Sequence, residues 1–374
     1  MIYFYSQLAL TVMLSKETKG YLALNNSVKC VNIVFYSYFW FINSYINTGI
    51  MGGKRTLKRI KSKLPERNYI LTKPAYFGDK DIQTSIELIQ YDSHHLDVKN
   101  IPPQSSLKES IDKTKVNWFK VTGISDAALV NRICLEFGLH GFDVKDLLSD
   151  QQVVKVVAYD EVTFVLMSSF YLENDSLNID DMQVAFIMGK NFIISFQEAA
   201  IPVFEDVKKE INDNNILIRE KGADFLLYIL LNIVNLSNIN AVMSIEDKLA
   251  EIEDQLIAGK DSGNTLGFLH ICRVNYTHIK RSLISLREEY SNLLRNTNKL
   301  IKDENIVYFD DFDDRLRTTL GDLVSFHESL SSLSDMYYNN NNLRMNEIIK
   351  RLTIVSTIFI PLTFLVGGVW GYEF

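Results

Sequence analysis

The sequence predicts an α+β protein in which an α/β domain precedes long stalk helices and a C-terminal transmembrane helix. Three observations carry this prediction. Strand-like and helix-like segments alternate over residues 68–200, long helical patterns alone follow from Ile201, and residues 352–370 contain no charged side chain. This order indicates a sheet packed against helices first and a membrane-spanning element last.

The first part of the α/β domain shows period-two alternation at Ser85–Tyr91, which is typical of a strand. A helix is predicted over 126–137, with its cap near Ser125. A turn at Gly189 to Asn191 separates the last two strands. The other predicted strands are 116–121, 153–158, 163–171, 183–188 and 192–196.

The second half is predicted to consist of helices over 223–257 and 266–302, with a break at 259–263 and a last helix beginning near Asp314. Helices of this length suggest a stalk or packing between subunits. From Asp314 to Arg351 the last helix would extend roughly 55 Å below a bilayer. The asparagines at 339–342 are poor helix formers, so local loosening is expected there.

The acidic stretch at 310–314 has two interpretations. It could bind a metal ion, or it could be the solvated start of a helix, where carboxylates complement the helix dipole. The second interpretation is favoured.

The uncharged segment at 352–370 would span roughly 28 Å as a helix, close to the thickness of a bilayer core. Lys350 and Arg351 flank its N-terminal end, and no basic cluster follows it. The positive-inside bias therefore predicts a cell (inner) membrane protein whose long N-terminal part is cytoplasmic, with membrane lipid as one partner.

Composition excludes some classes of function. The net charge of −7 argues against a nucleic-acid-binding surface. Cys30, Cys134 and Cys272 are isolated and lack metal-ligand spacing, and His94-His95 reads as a surface pair in a loop. The sequence contains no Gly-rich phosphate loop, Gly-x-Ser-x-Gly or paired His-Glu metal motif, so an enzyme is not expected.

Residues 1–50 differ from the rest, being rich in Asn, Tyr, Ser, Ile and Phe and holding Glu17 as their sole acidic residue. They could be an extra transmembrane helix, a signal peptide or an upstream region translated from a wrong start; initiation at Met51 is favoured. Residues 51–67 would then form a basic, mobile N-terminus.

The motif Asn346-Glu347-x-x-Lys350-x-Leu352-Thr353, followed by Phe-Ile-Pro-Leu-Thr-Phe at 359–364, resembles the first transmembrane helix of CorA-type magnesium channels. The resemblance extends upstream, in the family's order, through Trp118, Phe137-Gly138-Leu139-His140, Asp146-Leu147-Leu148, Lys155-Val156 and Gly189-Lys190-Asn191-Phe192. It implies a homopentameric channel for hydrated Mg²⁺, with Co²⁺ or Ni²⁺ as further ions.

By this resemblance, one copy of the last helix from each subunit lines the pore. The pore-lining residues would be Asn346, Ile349, Leu352, Ile360 and Thr363. Apolar rings can gate by dewetting. The alternatives are lipid contact or ordinary packing for the apolar residues, and a hydroxyl bonded to its own helix for Thr363. Pro361 is a kink candidate.

The resemblance also implies control by intracellular divalent ions. Asp335 matches a family aspartate that binds a regulatory ion against an acidic residue of the neighbouring subunit, here expected at Glu173 or Asp175. Facing carboxylates repel until a cation bridges them, so loss of the ion would favour opening. An exposed stalk charge is the alternative for Asp335.

The family's Gly-Met-Asn signature and second transmembrane helix do not follow here, because the chain reads Gly371-Tyr372-Glu373-Phe374. One guanine inserted into an assumed coding string for Trp-Gly-Met-Asn-Phe would give this ending and a stop codon. We therefore expect a frameshift, with a short homologue as the alternative. A non-conducting tail-anchored regulatory or remnant protein and a zinc-transporting relative are the alternative functions.

The expected domain organisation follows from these features. It comprises an N-terminal extension, a basic N-terminus, the α/β domain, a long-helix region, a stalk helix, a transmembrane helix and an altered signature: 1–50, 51–67, 68–200, 201–313, 314–351, 352–370 and 371–374.

Overall fold

The structure is a computed structural model, and it confirms the predicted α+β class. It describes residues 73–78, 81–149, 153–172, 179–214, 216, 218–259 and 263–371, except for the side chains of Leu172, Val203 and residues 366–371. The predicted extension at 1–50 and the basic segment at 51–67 lie outside the described residues.

Seven strands form one mixed sheet with the order β2-β1-β3-β7-β6-β5-β4. The strands are β1 Ser85–Tyr91, β2 Leu96–Ile101, β3 Val116–Thr122, β4 Lys155–Ala158, β5 Thr163–Leu172, β6 Ile179–Met188 and β7 Phe192–Gln197. β3 and β7 pair in parallel, while the other neighbouring strands pair antiparallel. A side-chain hydrogen bond links β3 to β7, because Trp118 Nε1 donates to Ser195 Oγ at 2.9 Å.

Helices cover both faces of the sheet. They are α1 Ala127–Glu136, α2 Gly141–Leu147, α3 Pro202–Asp213, α4 Ala223–Ile257, α5 Thr265–Leu294 and α6 Ile306–Gly371. α1 and α2 pack with one face of the sheet, where Phe119, Phe164 and Phe196 are buried. The long helices pack with the other face, around Trp118 and Phe186. Burial of both faces explains why the strands are rich in apolar residues.

Local signals set the helix starts. The Asp126 side chain accepts from Leu129 N at 3.0 Å and caps α1, one residue beyond the predicted cap at Ser125. His140 Nδ1 accepts from Phe142 N at 3.3 Å at the start of α2. Pro202 begins α3, and Asn214 ends it with φ of 55°. The Asp126 and His140 side chains thus accept from N–H groups that a helix start leaves unpaired, whereas Pro202 has no N–H group that would need a partner there.

α4 is a core helix, although it is long and apolar enough to cross a membrane. Over half of its most apolar stretch is buried, and Asn238 binds strand β5 by accepting from Phe170 N at 2.7 Å and donating to Ser168 O at 3.2 Å. The α4 bounds match the predicted helix at 223–257.

Several predicted boundaries are wrong. α5 ends at Leu294 instead of residue 302, because Asn296 and Lys299 take positive φ and the Asn296 side chain binds Ile301 N and O. α6 begins at Ile306, eight residues before the predicted Asp314, since Phe309 and Phe312 are packed in the core. Strand β2 and helix α2 were not predicted.

α6 is an unbroken helix through 339–342, where loosening was expected. Asn340 Nδ2 donates to Leu256 O at 3.2 Å, and Arg344 donates to Gly259 O at 2.9 Å. These side chains reach carbonyls at the C-terminal end of α4, so contacts with a neighbouring helix offset the low helix propensity of asparagine. We call this pair of bonds the α4–α6 latch.

Candidate functional site

The C-terminal part of α6 is the described segment best suited to a membrane. Its most apolar stretch has a mean hydropathy of 1.7 and is not buried by the rest of the protein, whereas that of α4 reaches 1.6 and is largely covered. The exposed apolar side chains are Leu352, Ile354, Val355, Ile358, Phe359, Ile360, Leu362, Phe364 and Leu365. Such a continuous apolar surface is unfavourable in water and is matched by lipid.

The five predicted pore-lining residues share one side of α6. At 100° per residue they fall within an arc of about 120°, with Leu352 and Asn346 at its edges. All five are exposed within the single chain, and Ile360 reaches 67%. The helix therefore presents two amide- or hydroxyl-bearing residues and three apolar residues along one stripe, which a single copy leaves uncovered.

The polar atoms on this stripe can act as hydrogen-bond acceptors. Thr363 Oγ1 donates to Phe359 O at 2.8 Å and lies 2.9 Å from Ile360 O. Its proton is used within its own helix, as one of the two sequence interpretations proposed, but its lone pairs stay available. A hydrated cation presents water hydrogens outward, so acceptors of this kind suit it.

Pro361 lies inside α6 without ending it. Proline has no N–H to donate to the carbonyl of Thr357, four residues earlier. Such a free carbonyl in a membrane segment is tolerated when it faces neighbouring helices or water.

Asp335 is exposed on α6, two residues beyond the buried Leu333. Its expected partners Glu173 and Asp175 lie outside the described residues, between β5 and β6. At the signature position Gly371 is the last helical residue described, whereas Tyr372 and Glu373 lie beyond the described part.

Two aspartates of the acidic stretch at 310–314 form ion pairs with arginines of the same helix. Asp311 Oδ2 lies 2.7 Å from Arg315 Nε, and Asp313 Oδ2 lies 2.6 Å from Arg317, each one helical turn away. Across 73–371, within its described positions, no group of three His, Cys, Asp or Glu side chains could hold a metal ion. The stretch lies within α6, whose first residue is Ile306, so the favoured prediction that these carboxylates mark the start of a helix is wrong.

Two features outside the apolar segment of α6 were not predicted from the sequence. One is the α4–α6 latch, whose only sequence signal is the four-residue spacing of Asn340 and Arg344. The other is a charged cluster on α2 and β4, in which Lys155 Nζ lies 2.7 Å from Asp143 Oδ1 and 2.8 Å from Asp146 Oδ2. Burial disfavours the Lys155 ammonium, but both carboxylates outweigh this and raise its pKa.

Comparison with known proteins adds independent findings. A model of the CorA-like Mg²⁺ transporter proteins matches residues 113–374. The cobalt/magnesium transport protein CorA of Thermotoga maritima is 28% identical over 299 residues, covering 80% of this chain and 85% of the relative. The putative metal ion transporter YfjQ of Bacillus subtilis is 26% identical over 290 residues, covering 77% and 87%.

Solved structures share the fold. The CorA magnesium transporter of Methanocaldococcus jannaschii has a TM-score of 0.62 at 22% identity, covering 77% of this chain and 87% of that one. The ZntB cytoplasmic domain of Vibrio parahaemolyticus has a TM-score of 0.52 at 10% identity, covering 69% and 98%. The family match includes β3 to β7 and every helix described above, from α1 through the apolar end of α6. The chain therefore belongs to the CorA-like Mg²⁺ transporter family.

Proposed function

We propose that the chain is a subunit of a homopentameric channel that conducts hydrated divalent cations across the cell membrane. Magnesium is the leading ion and Co²⁺ a further one, in line with the names of the relatives, and the family resemblance adds Ni²⁺. The observation that carries the proposal is the single stripe on α6 that joins acceptor residues to apolar residues. One helix cannot enclose a pore, so the stripe needs several copies.

Hydration explains the choice of residues. Mg²⁺ gives up water reluctantly, and it is therefore best passed with its water shell by groups that accept hydrogen bonds. Asn346 and Thr363 supply such groups toward the two ends of the stripe. Ile349, Leu352 and Ile360 would form apolar rings that close the path when they dewet.

The orientation follows from charge. Lys350 and Arg351 precede the apolar end of α6, and the positive-inside bias favours a cytoplasmic position for the sheet domain. Intracellular ions would then act at Asp335, against Glu173 or Asp175 of an adjacent subunit. A bridging cation would hold the ring closed, and its loss would favour opening.

A matched pair of variants tests the stripe. Ile360→Thr places a hydroxyl on it, whereas Ile358→Thr makes the same change roughly 160° away. With the full chain in liposomes containing a Mg²⁺-sensitive dye, Ile360→Thr should speed Mg²⁺ entry by about threefold or more, because a polar ring wets more easily. Ile358→Thr should leave entry unchanged.

Equal effects of the two variants would contradict the stripe. A chain that remains monomeric in detergent and passes no ion would favour the non-conducting, tail-anchored alternative. The zinc-transporting alternative is tested by competition, since Zn²⁺ would then block entry of the dye-detected ion more strongly than Co²⁺ does.

A further inference from the structure

The four consecutive asparagines at 339–342 lie in two different environments on α6. Asn340 is half-buried and donates from Nδ2 to Leu256 O at 3.2 Å, as part of the α4–α6 latch. Asn342 lies about 160° away from it around the helix and is exposed, as is Asn339. Asparagine is a poor helix former, and contact with α4 explains its presence only at Asn340. The two exposed asparagines therefore need another explanation.

Four oxygen-bearing side chains share one side of this part of α6: Asp335, Asn339, Asn342 and Asn346. At 100° per residue they fall within an arc of about 60°, and all four are exposed in the single chain. We call this side the amide face. The two side chains of the latch lie about 150° from the centre of this arc. Because the latch fixes α4 on the opposite side of α6, α4 leaves the amide face uncovered.

The amide face continues into the stripe of five predicted pore-lining residues. Asn346 belongs to both, and Asn342 falls inside the arc of about 120° that the stripe occupies, whereas Asn339 lies about 20° beyond Asn346. Along the helix axis about 4.5 Å separates Asn339 from Asn342, and about 6 Å separates Asn342 from Asn346. Since α6 is one unbroken helix, an assembly that turns the stripes toward a common axis also turns Asn342 toward it.

The chemistry of this face suits a cation that keeps its water shell. The waters of hydrated Mg²⁺ present their hydrogens outward, and an amide oxygen accepts from them without replacing them. Amides are neutral, so they hold the ion weakly enough for it to leave again, as conduction requires. From Asp335 to Ile349 the sole basic residue is Arg344, which lies on the latch side. A cation on the amide face therefore meets no basic side chain over this length.

We propose that Asn339 and Asn342 form two further rings of acceptors, which pass the hydrated cation between the cytoplasm and Asn346. This inference rests on the proposed channel and assigns residues to the cytoplasmic end of its ion path. Mg²⁺ with its first water shell is about 7 Å across, which exceeds both distances between neighbouring rings. The waters of the ion can therefore reach the next ring of amides before they leave the previous one.

Matched leucine variants of the full chain, in liposomes that contain a Mg²⁺-sensitive dye, test the amide face. Asn342→Leu places an apolar ring on this face and should slow Mg²⁺ entry about three- to tenfold, because the waters of the ion lose their acceptors. Asn341→Leu makes the same change about 100° away, at a half-buried position, and should match the wild type. Asn342→Gln keeps an amide oxygen and should retain about half or more of the wild-type rate.

The outcomes separate this inference from the channel proposal. Leucine is a better helix former than asparagine, so α6 should persist in the leucine variants, and the mass of each variant in detergent should equal that of the wild type. If the wild type passes Mg²⁺ but Asn342→Leu passes it equally fast, or is slowed no more than Asn341→Leu or Asn342→Gln, the amide face is overturned and the channel proposal stands. A wild type that passes no Mg²⁺ would overturn both.

Discussion

The charged cluster of α2 and β4 should contribute much more to stability than any exposed ion pair of the chain. Asp143 is 4% exposed in its side chain and is held by Lys155 Nζ at 2.7 Å, and the Tyr159 hydroxyl also donates to it. The variant Lys155→Met keeps the aliphatic part of the side chain and removes the ammonium. It leaves the Asp143 carboxylate buried without its counter-charge.

Removing one partner of a buried pair typically costs about 3–5 kcal/mol. The lower end applies here, because Lys155 is 31% exposed and Tyr159 still donates to Asp143. About 3 kcal/mol corresponds to a decrease in Tm of roughly 6–12 °C for a domain of this size. Thermal unfolding can be followed through the fluorescence of buried Trp118, with Trp40 and Trp370 replaced by Phe.

Two further variants decide the outcome. Lys302→Met breaks a solvent-exposed pair with Glu304 at 3.8 Å and should change stability by less than about 0.5 kcal/mol. Adding Asp143→Asn to Lys155→Met should restore much of the lost Tm, because a neutral pair no longer buries a lone charge. Similar Tm values for the Lys155 and Lys302 variants, or additive losses in the double variant, would refute the reasoning.

The α3 ion pair and the latch give two more predictions. Lys120 lowers the pKa of Glu205, so this carboxylate stabilises the fold above its unfolded pKa of about 4.5 and loses that effect as pH falls through the lower folded pKa. The Tm of the wild type should therefore fall more than that of Glu205→Gln when pH decreases below 4.5. Arg344→Ala should speed amide hydrogen exchange at the end of α4 near Gly259, while Lys350→Ala, beyond the latch, should not; equal exchange in both would argue against the latch.

The sequence was sufficient for the parts of the fold that rest on local pattern. The alternation of β1 and the apolar pattern of α4 gave bounds that match the structure. Strand β2 was missed because it lies at the sheet edge with mostly exposed residues, and its alternation of Leu96 and Val98 with polar residues is short and breaks before Ile101. The early end of α5 depends on two positive φ angles at Asn296 and Lys299, which propensity alone does not specify.

Less of the candidate site could be predicted from the sequence. The family resemblance selected the five residues, and helical geometry then places them on one stripe of α6. The latch of Arg344 depends on how α4 and α6 come together over a long sequence separation, which no local signal specifies.

The continuity of α6 gives it the mechanical behaviour of a lever arm. The α4–α6 latch holds this helix as far as Arg344, and Leu365 in the apolar segment lies about 31 Å further along the axis. A tilt of about 5° at the latch would displace Leu365 by roughly 2.7 Å. This is close to the diameter of a water molecule, about 2.8 Å. In the proposed channel, a small tilt of α6 at the latch would therefore be enough to admit or expel a layer of water between neighbouring copies.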